Sequence, residues 1–326
     1  MDFSVILMRL IFIFACLCPV TISAFAQDFP SRPIKFVHPY APGGVLDTIG
    51  RITAQKLSEQ VSQPVVVENR TGASGIIGGD LVAKAAPDGY TLLVTVPSLF
   101  TIVPHMQEMP FRIEQLGPVS VLSTSPMLLV TNLAVPAKTV SELIALAKSK
   151  PRSLSAANAG NGTLPHLVSE LFQAQAGVEF VQVPFKGSGP ALVDLTGGHV
   201  QLMFDNIPSA LPHVKAGRLR ALAITSRQRF AVAPDVPTMR ESGMGDFEVS
   251  NWIGIFAPAG TPTEIILKLH RELGRVVRSP EVGKRFLDAG ASPVGNSPEE
   301  VAAMVRTESE QWGKLIRKLG LKGGLI

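Results

Sequence analysis

The sequence predicts an α/β protein of two domains, and three observations carry that reading. Short apolar strands alternate with amphipathic helices along most of the chain, a rhythm that argues for a largely parallel sheet with helices on both faces. Two glycine-rich strand-to-helix junctions recur, one in each half. About 300 residues follow an amino-terminal leader, more than one typical core and too few for three.

In order, Ile34, Phe36 and Val37 make a strand that stops at Pro39, and Leu46, Ile49, Ile52 and Leu57 form the apolar stripe of a helix. A buried strand is predicted over 64–68, a helix over 80–86 and a strand over 90–96. The pattern restarts near Val119 with strand 127–130, helix 140–148, strand 154–156 and helix 164–176. Strand 180–183, helix 190–196, strand 200–204, helix 208–216 and strand 219–224 continue it. A proline-rich stretch, 233–237, ends this unit. Strand 254–257 then passes back, and helices beginning near Pro262, Pro280 and Pro298 complete the first domain. The expected division is therefore 27–122 with 232–326 as a discontinuous first domain and 123–231 as the second. Thr139 with Glu142, Thr261 with Glu264, and Ser297 with Glu300 have capping-box spacing.

Residues 10–22 are apolar, Arg9 precedes them, and Ala24-Phe25-Ala26 has the A-x-A form of a cleavage site. This predicts a signal peptide over 1–26, cleavage after Ala26 and a mature protein in the periplasm. The apolar run is too short to span a membrane. Both cysteines, Cys16 and Cys18, lie in the leader, so the expected mature chain has no thiol for a disulfide, a metal or nucleophilic catalysis. The net charge of +4 is modest, and no basic run is interleaved with aromatics. Nucleic acid is accordingly not an expected partner.

Two junctions carry the chemistry. In HPYAPGGVLD, Pro42, Gly43 and Gly44 sit between strand and helix, where small residues let a ligand approach free amides at the positive end of a helix dipole. A carboxylate or phosphate suits such a turn. In AANAGNGTLPH, Gly160, Asn161 and Gly162 precede a cap at Thr163. If each junction belongs to a different domain, the two grip a small molecule in the cleft between them. Asp47 either meets the ligand or complements the dipole and pairs with Arg51. Asp205 is either a helix cap or a polar group at the cleft floor. His166 either donates to a carboxylate or packs in the first turn of its helix, and Lys186 reaches either the cleft or solvent. No G-x-S-x-G, H-E-x-x-H, Walker A or G-x-G-x-x-G motif is present, and the six histidines are scattered. The expectation is a protein without catalysis, metal or cofactor.

These residues sit in a chain that resembles the Bug-type solute receptors, the extracytoplasmic binding proteins of the tripartite tricarboxylate transporter family. FPSRPIKFV, APGGVLD, ENRTGASG, APDGYTLL, NAGNGTLPHL, VPFKGSGPALVDLTGGHVQLMFD and WIGIFAPAGTP occur in this order. The resemblance implies a two-domain periplasmic binding protein fold that closes on a small carboxylated metabolite and delivers it to membrane permease subunits without catalysis; a monomer is expected. It implies a pocket made of Pro42, Gly43, Gly44 and Asp47 on one side and Gly160, Asn161, Gly162, Thr163 and His166 on the other. Asp205 is a further pocket residue, with Tyr40 and Ser98 as walls. Val45 and Leu46 depart from the small residues many relatives carry there. A dicarboxylate, an amino acid, an aromatic acid and a neutral nicotinamide-like compound are all compatible with these residues. Two other functions stay open: a sensor reporting ligand occupancy to a membrane partner, and an exported enzyme acting on a carboxylate.

Overall fold

In the computed structural model, β1 (Ile34–His38) is paired on both sides, parallel to β2 (Val65–Asn69) along its length and to β3 (Thr91–Thr95) over Lys35–Val37. The structure describes residues 29–321 apart from 41, 43 and 186. The expected leader, Gly43 and Lys186 lie outside the described residues. Helix α1 (Val45–Val61) follows β1 and buries Ile49, Ile52 and Leu57, the stripe read from the sequence. Helix α2 (Ile76–Ala83) begins before the predicted 80–86. Two short helices, α3 (Ser98–Thr101) and α4 (Val103–Met106), follow β3.

Strand β4 (Leu116–Asn132) is the backbone of the molecule. Its first part pairs antiparallel with β9 (Ser250–Pro258) and briefly with β10 (Ser292–Pro293). From Met127 onward it lies between β7 (Leu202–Asn206) and β8 (Leu219–Ile224). The strands run in the order β2-β1-β3-β9-β4-β7-β5-β6, where β5 is Ser155–Asn158 and β6 is Val181–Pro184. The two ends of this order are parallel, and the centre is antiparallel. The expectation of a largely parallel sheet therefore holds for each end. It fails in the middle, where β4 and β9 carry the chain out and back side by side.

Helices α5 (Val140–Ser149), α6 (Leu164–Ala176), α7 (Ser188–Gly197) and α8 (Ile207–Lys215) alternate with the strands beyond β4. Helices α9 (Thr263–Arg278), α10 (Pro280–Asp288) and α11 (Pro298–Leu319) close the chain. One core, around Val37, Leu93, Phe100 and Phe256, belongs to the β1 end. Another, around Leu129, Phe172 and Phe204, belongs to the β5 end and also takes in Met239, Phe247, Val249, Trp312 and Ile316. The expected division at 122/123 falls inside β4, ahead of its change of partners at Met127. None of the described helices is long and apolar enough to cross a membrane.

The three capping boxes differ in outcome. Ser297 and Glu300 form a full box, each bonding the other's backbone. Thr139 accepts from Glu142 N at 3.1 Å, but the Glu142 carboxylate accepts from Lys138 N instead of Thr139 N. Thr261 caps nothing: its hydroxyl donates to Pro258 O at 2.7 Å and α9 begins after Pro262. Thr261 stands one residue ahead of the N-cap position, which Pro262 holds.

Candidate functional site

A cavity of about 510 Å³ opens where β1, β3 and β7 end. One wall is Tyr40, Gly44, Val45, Leu46 and Val96; the other is Ser188, Gly189, Asn206, Pro208 and Ser209. Both walls lie just past strand carboxyl ends, where α/β sheets bind their ligands.

Three helices start on this cavity: α1 after Gly44, α7 after Gly187 and α8 after Asn206. None has a side chain capping its first amides. Most helix starts have such a cap or find another partner for those donors. Here three sets of amides and three positive dipole ends converge, and among the described residues no lysine or arginine lines the space. The electrostatics favour an anion held by neutral donors. Gly44 has φ −79° in an extended conformation, so positive φ is not what the turn needs there. A Cβ at Gly44 would meet nothing within 4 Å; the missing side chain leaves the space open to a ligand.

Behind the first wall, Asp47 is buried and pairs with Arg51, whose Nε donates to Oδ2 at 2.9 Å. Asn69 Nδ2 donates to Asp47 Oδ1 at 3.2 Å and to Tyr40 O at 3.0 Å. His38 Nδ1 lies 3.3 Å from Asp47 Oδ1. A carboxylate only accepts, so Nδ1 carries the proton. Burial holds the His38 pKa down to about 4 against the pull of Asp47, so the ring is neutral at pH 7. Asp47 thus braces the loop and does not line the cavity. His38 and Asn69 were not singled out by the sequence; the pairing of strand ends β1 and β2 is the signal that joins them.

Behind the second wall, Asp205 is fully buried and accepts from Ser188 Oγ and Ser209 Oγ, both at 2.6 Å. Burial raises its pKa to about 6 in spite of these donors. Asp205 is not the cap of α8, which is Asn206. It fixes the rotamers of two serines that do face the cavity. Ser188 and Ser209 were missed from sequence, although the i,i+4 spacing of Asp205 and Ser209 was visible.

Of the other candidates, Tyr40 lines the cavity and its hydroxyl donates to Ser74 O at 3.2 Å, with Ser98 Oγ 3.5 Å away. Ser98 is therefore one residue removed from the wall. Pro42 is exposed. The loop of Gly160, Asn161, Gly162 and Thr163 lies beside this wall rather than in it: Gly187 N donates to Ala159 O. Thr163 is the N-cap of α6, yet its hydroxyl donates to Gly160 O at 2.7 Å. His166, buried in the first turn, reaches back to the loop instead: its Nδ1 accepts from Gly162 N at 3.2 Å. Burial lowers the His166 pKa, which suits that acceptor role. Gly162 has φ +74°, and a Cβ there would stand 2.8 Å from Met106 Sδ, so the loop reaches α4 only because this residue is glycine.

A two-domain α/β fold with an amide-lined cavity past its strand ends defines a periplasmic binding protein. The chain belongs to the tripartite tricarboxylate transporter family receptors, whose family model matches residues 49–321. It is 39% identical to protein BugT of Bordetella pertussis, over 97% of this chain and 98% of that one. Among solved structures it is similar to a protein of R. palustris determined with adipate, with TM-score 0.83, 34% identity and coverage of 90% of this chain and 99% of that one. MatC from Rhodopseudomonas palustris with bound malate is also similar, at TM-score 0.78 and 34% identity over 88% of this chain and 100% of that one. So is the periplasmic binding protein BugD, at TM-score 0.79 and 34% identity over 90% and 99%. These relatives establish the chain as a solute-binding receptor of the periplasm.

Proposed function

We propose that the chain captures a small carboxylate in this cavity and delivers it to the membrane subunits of a tripartite tricarboxylate-type transporter, after export and cleavage behind Ala26. The convergence of three helix starts without side-chain caps carries the reading. The first amides of α1, α7 and α8 would hold the carboxylate, Tyr40, Gly44, Ser188 and Ser209 would wall it in, and Pro42 and Gly43 would complete the turn. Asp47, Ser98 and Asp205 would hold these groups in place. Domain closure would bring Gly160, Asn161, Gly162, Thr163 and His166 onto the ligand, with 27–122 and 232–326 moving against 123–231. Bridging waters nearly match direct hydrogen bonds, so no buried arginine is required. Catalysis has no part in this reading.

The adipate and malate carried by two relatives supply the first ligands to test. Calorimetric titration should give saturable binding of a dicarboxylate. Gly44→Phe, which projects into open space, should weaken it at least about tenfold while changing stability by no more than about 1 kcal/mol. Unchanged affinity in that variant would move the site elsewhere. Loss of uptake on deletion of the gene supports transport; intact uptake with altered signalling would make the protein a sensor.

A further inference from the structure

A second cavity, of about 530 Å³, is walled by α6, the start of β9 and α11. It shares no lining residue with the first. Its apolar lining includes Leu171, Met304 and both tryptophans of the chain, Trp252 and Trp312. Its charged lining is of one sign: Asp246 and Glu248, both exposed, and the partly buried Glu308, with no lysine, arginine or histidine among the described residues. Glu308 Oε1 accepts from Trp252 Nε1 at 2.9 Å, and Oε2 has no partner among the described residues.

We propose that this cavity is a binding site for a small organic cation, an aromatic or aliphatic monoamine whose ammonium pairs with Glu308 while its apolar body lies against the half-buried Leu171, Met304 and Leu315. Charge selects the occupant: three carboxylates without a cation repel the anions for which the first cavity is built. A carboxylate half out of water with one neutral donor gains most from a charge-assisted hydrogen bond. Burial raises the Glu308 pKa to about 7, so an ammonium would draw off the proton that the empty site holds near neutrality.

Because both tryptophans line this cavity, intrinsic fluorescence reads it without a label. The full chain is titrated with phenethylamine, with 2-phenylethanol as the neutral analogue and with 3-phenylpropionate as the anionic one. Expected is a saturable emission change with the amine, binding about tenfold weaker for the alcohol, and none for the carboxylate. Amine affinity should rise between about pH 6 and 8 as Glu308 ionises. Glu308→Gln keeps an oxygen that accepts from Trp252 and should lower amine affinity about tenfold, with an unchanged circular dichroism spectrum. Equal binding of amine and alcohol, full affinity in Glu308→Gln, or no saturation by about 5 mM amine would each overturn the proposal.

Discussion

Gly50 stands on α1 directly beneath the imidazole of His38, so close that an added Cβ would lie 2.3 Å from the ring. The ring is completely buried, and its Nε2 has no polar partner among the described residues. A glycine inside a helix is ordinarily a cost, and here it makes room for the group that steadies Asp47. Gly50→Ala should therefore destabilise the protein by about 1–3 kcal/mol in urea titration, although alanine is the better helix former. A neutral or stabilising result would show that His38 has another place to go. Gly44 on the first wall was legible because Pro-Gly-Gly between strand and helix is unusual in composition; Val96 on the same wall was not. Ser188 and Ser209 were not: a serine near a helix start has many ordinary uses, and only the tertiary meeting of α7 and α8 makes these two neighbours of Asp205.

Among the elements, those with a clean period were read well and those with a mixed one were not. Helix α6 and strand β8 occupy the predicted 164–176 and 219–224. Strand β4 was foreseen only over 127–130 yet runs for 17 residues. Pro118, Pro126 and the serines between them hid it, since proline and short polar residues usually mark the end of a strand. The fold satisfies two of the three serines through long-range bonds: Ser120 Oγ donates to Asn296 O at 3.1 Å and Ser125 Oγ to Gly290 O at 2.7 Å, while Ser123 Oγ has no partner among the described residues. Helix caps give a contrast that can be measured. Ser297→Ala should cost about 1 kcal/mol, the usual value of an N-cap. Thr261→Ala should cost clearly less, because its hydroxyl serves a turn and not α9. Thermal or chemical denaturation of the two variants side by side decides it; equal losses would contradict the cap assignments.

At the scale of the whole molecule, His38 and Asp205 give the fold opposing responses to acid. Folding lowers the His38 pKa from 6.5 to about 4. Between these values the unfolded chain binds the extra proton, and stability rises with pH. Folding raises Asp205 from 3.8 to about 6. Its stabilising contribution is therefore present below the unfolded value and is lost as pH climbs through the folded one. Each shift corresponds to about 3 kcal/mol, so the two largely cancel. Asp205→Asn removes one of them. Measured by urea denaturation between about pH 4.5 and 6, the variant should gain about 2 kcal/mol more stability with rising pH than the native chain. A difference between the two that does not vary with pH would show that Asp205 is not protonated in the fold.

Strand β4 belongs to both ends of the molecule, and strand side chains alternate faces at every residue. Removing one residue where its two pairing regions meet, at Pro126 and Met127, would leave one set of partners in phase and turn the other inside out. The two halves therefore share a single ruler. Their loops can lengthen or shorten freely in descent, but the count along β4 is a quantity that neither half can change alone.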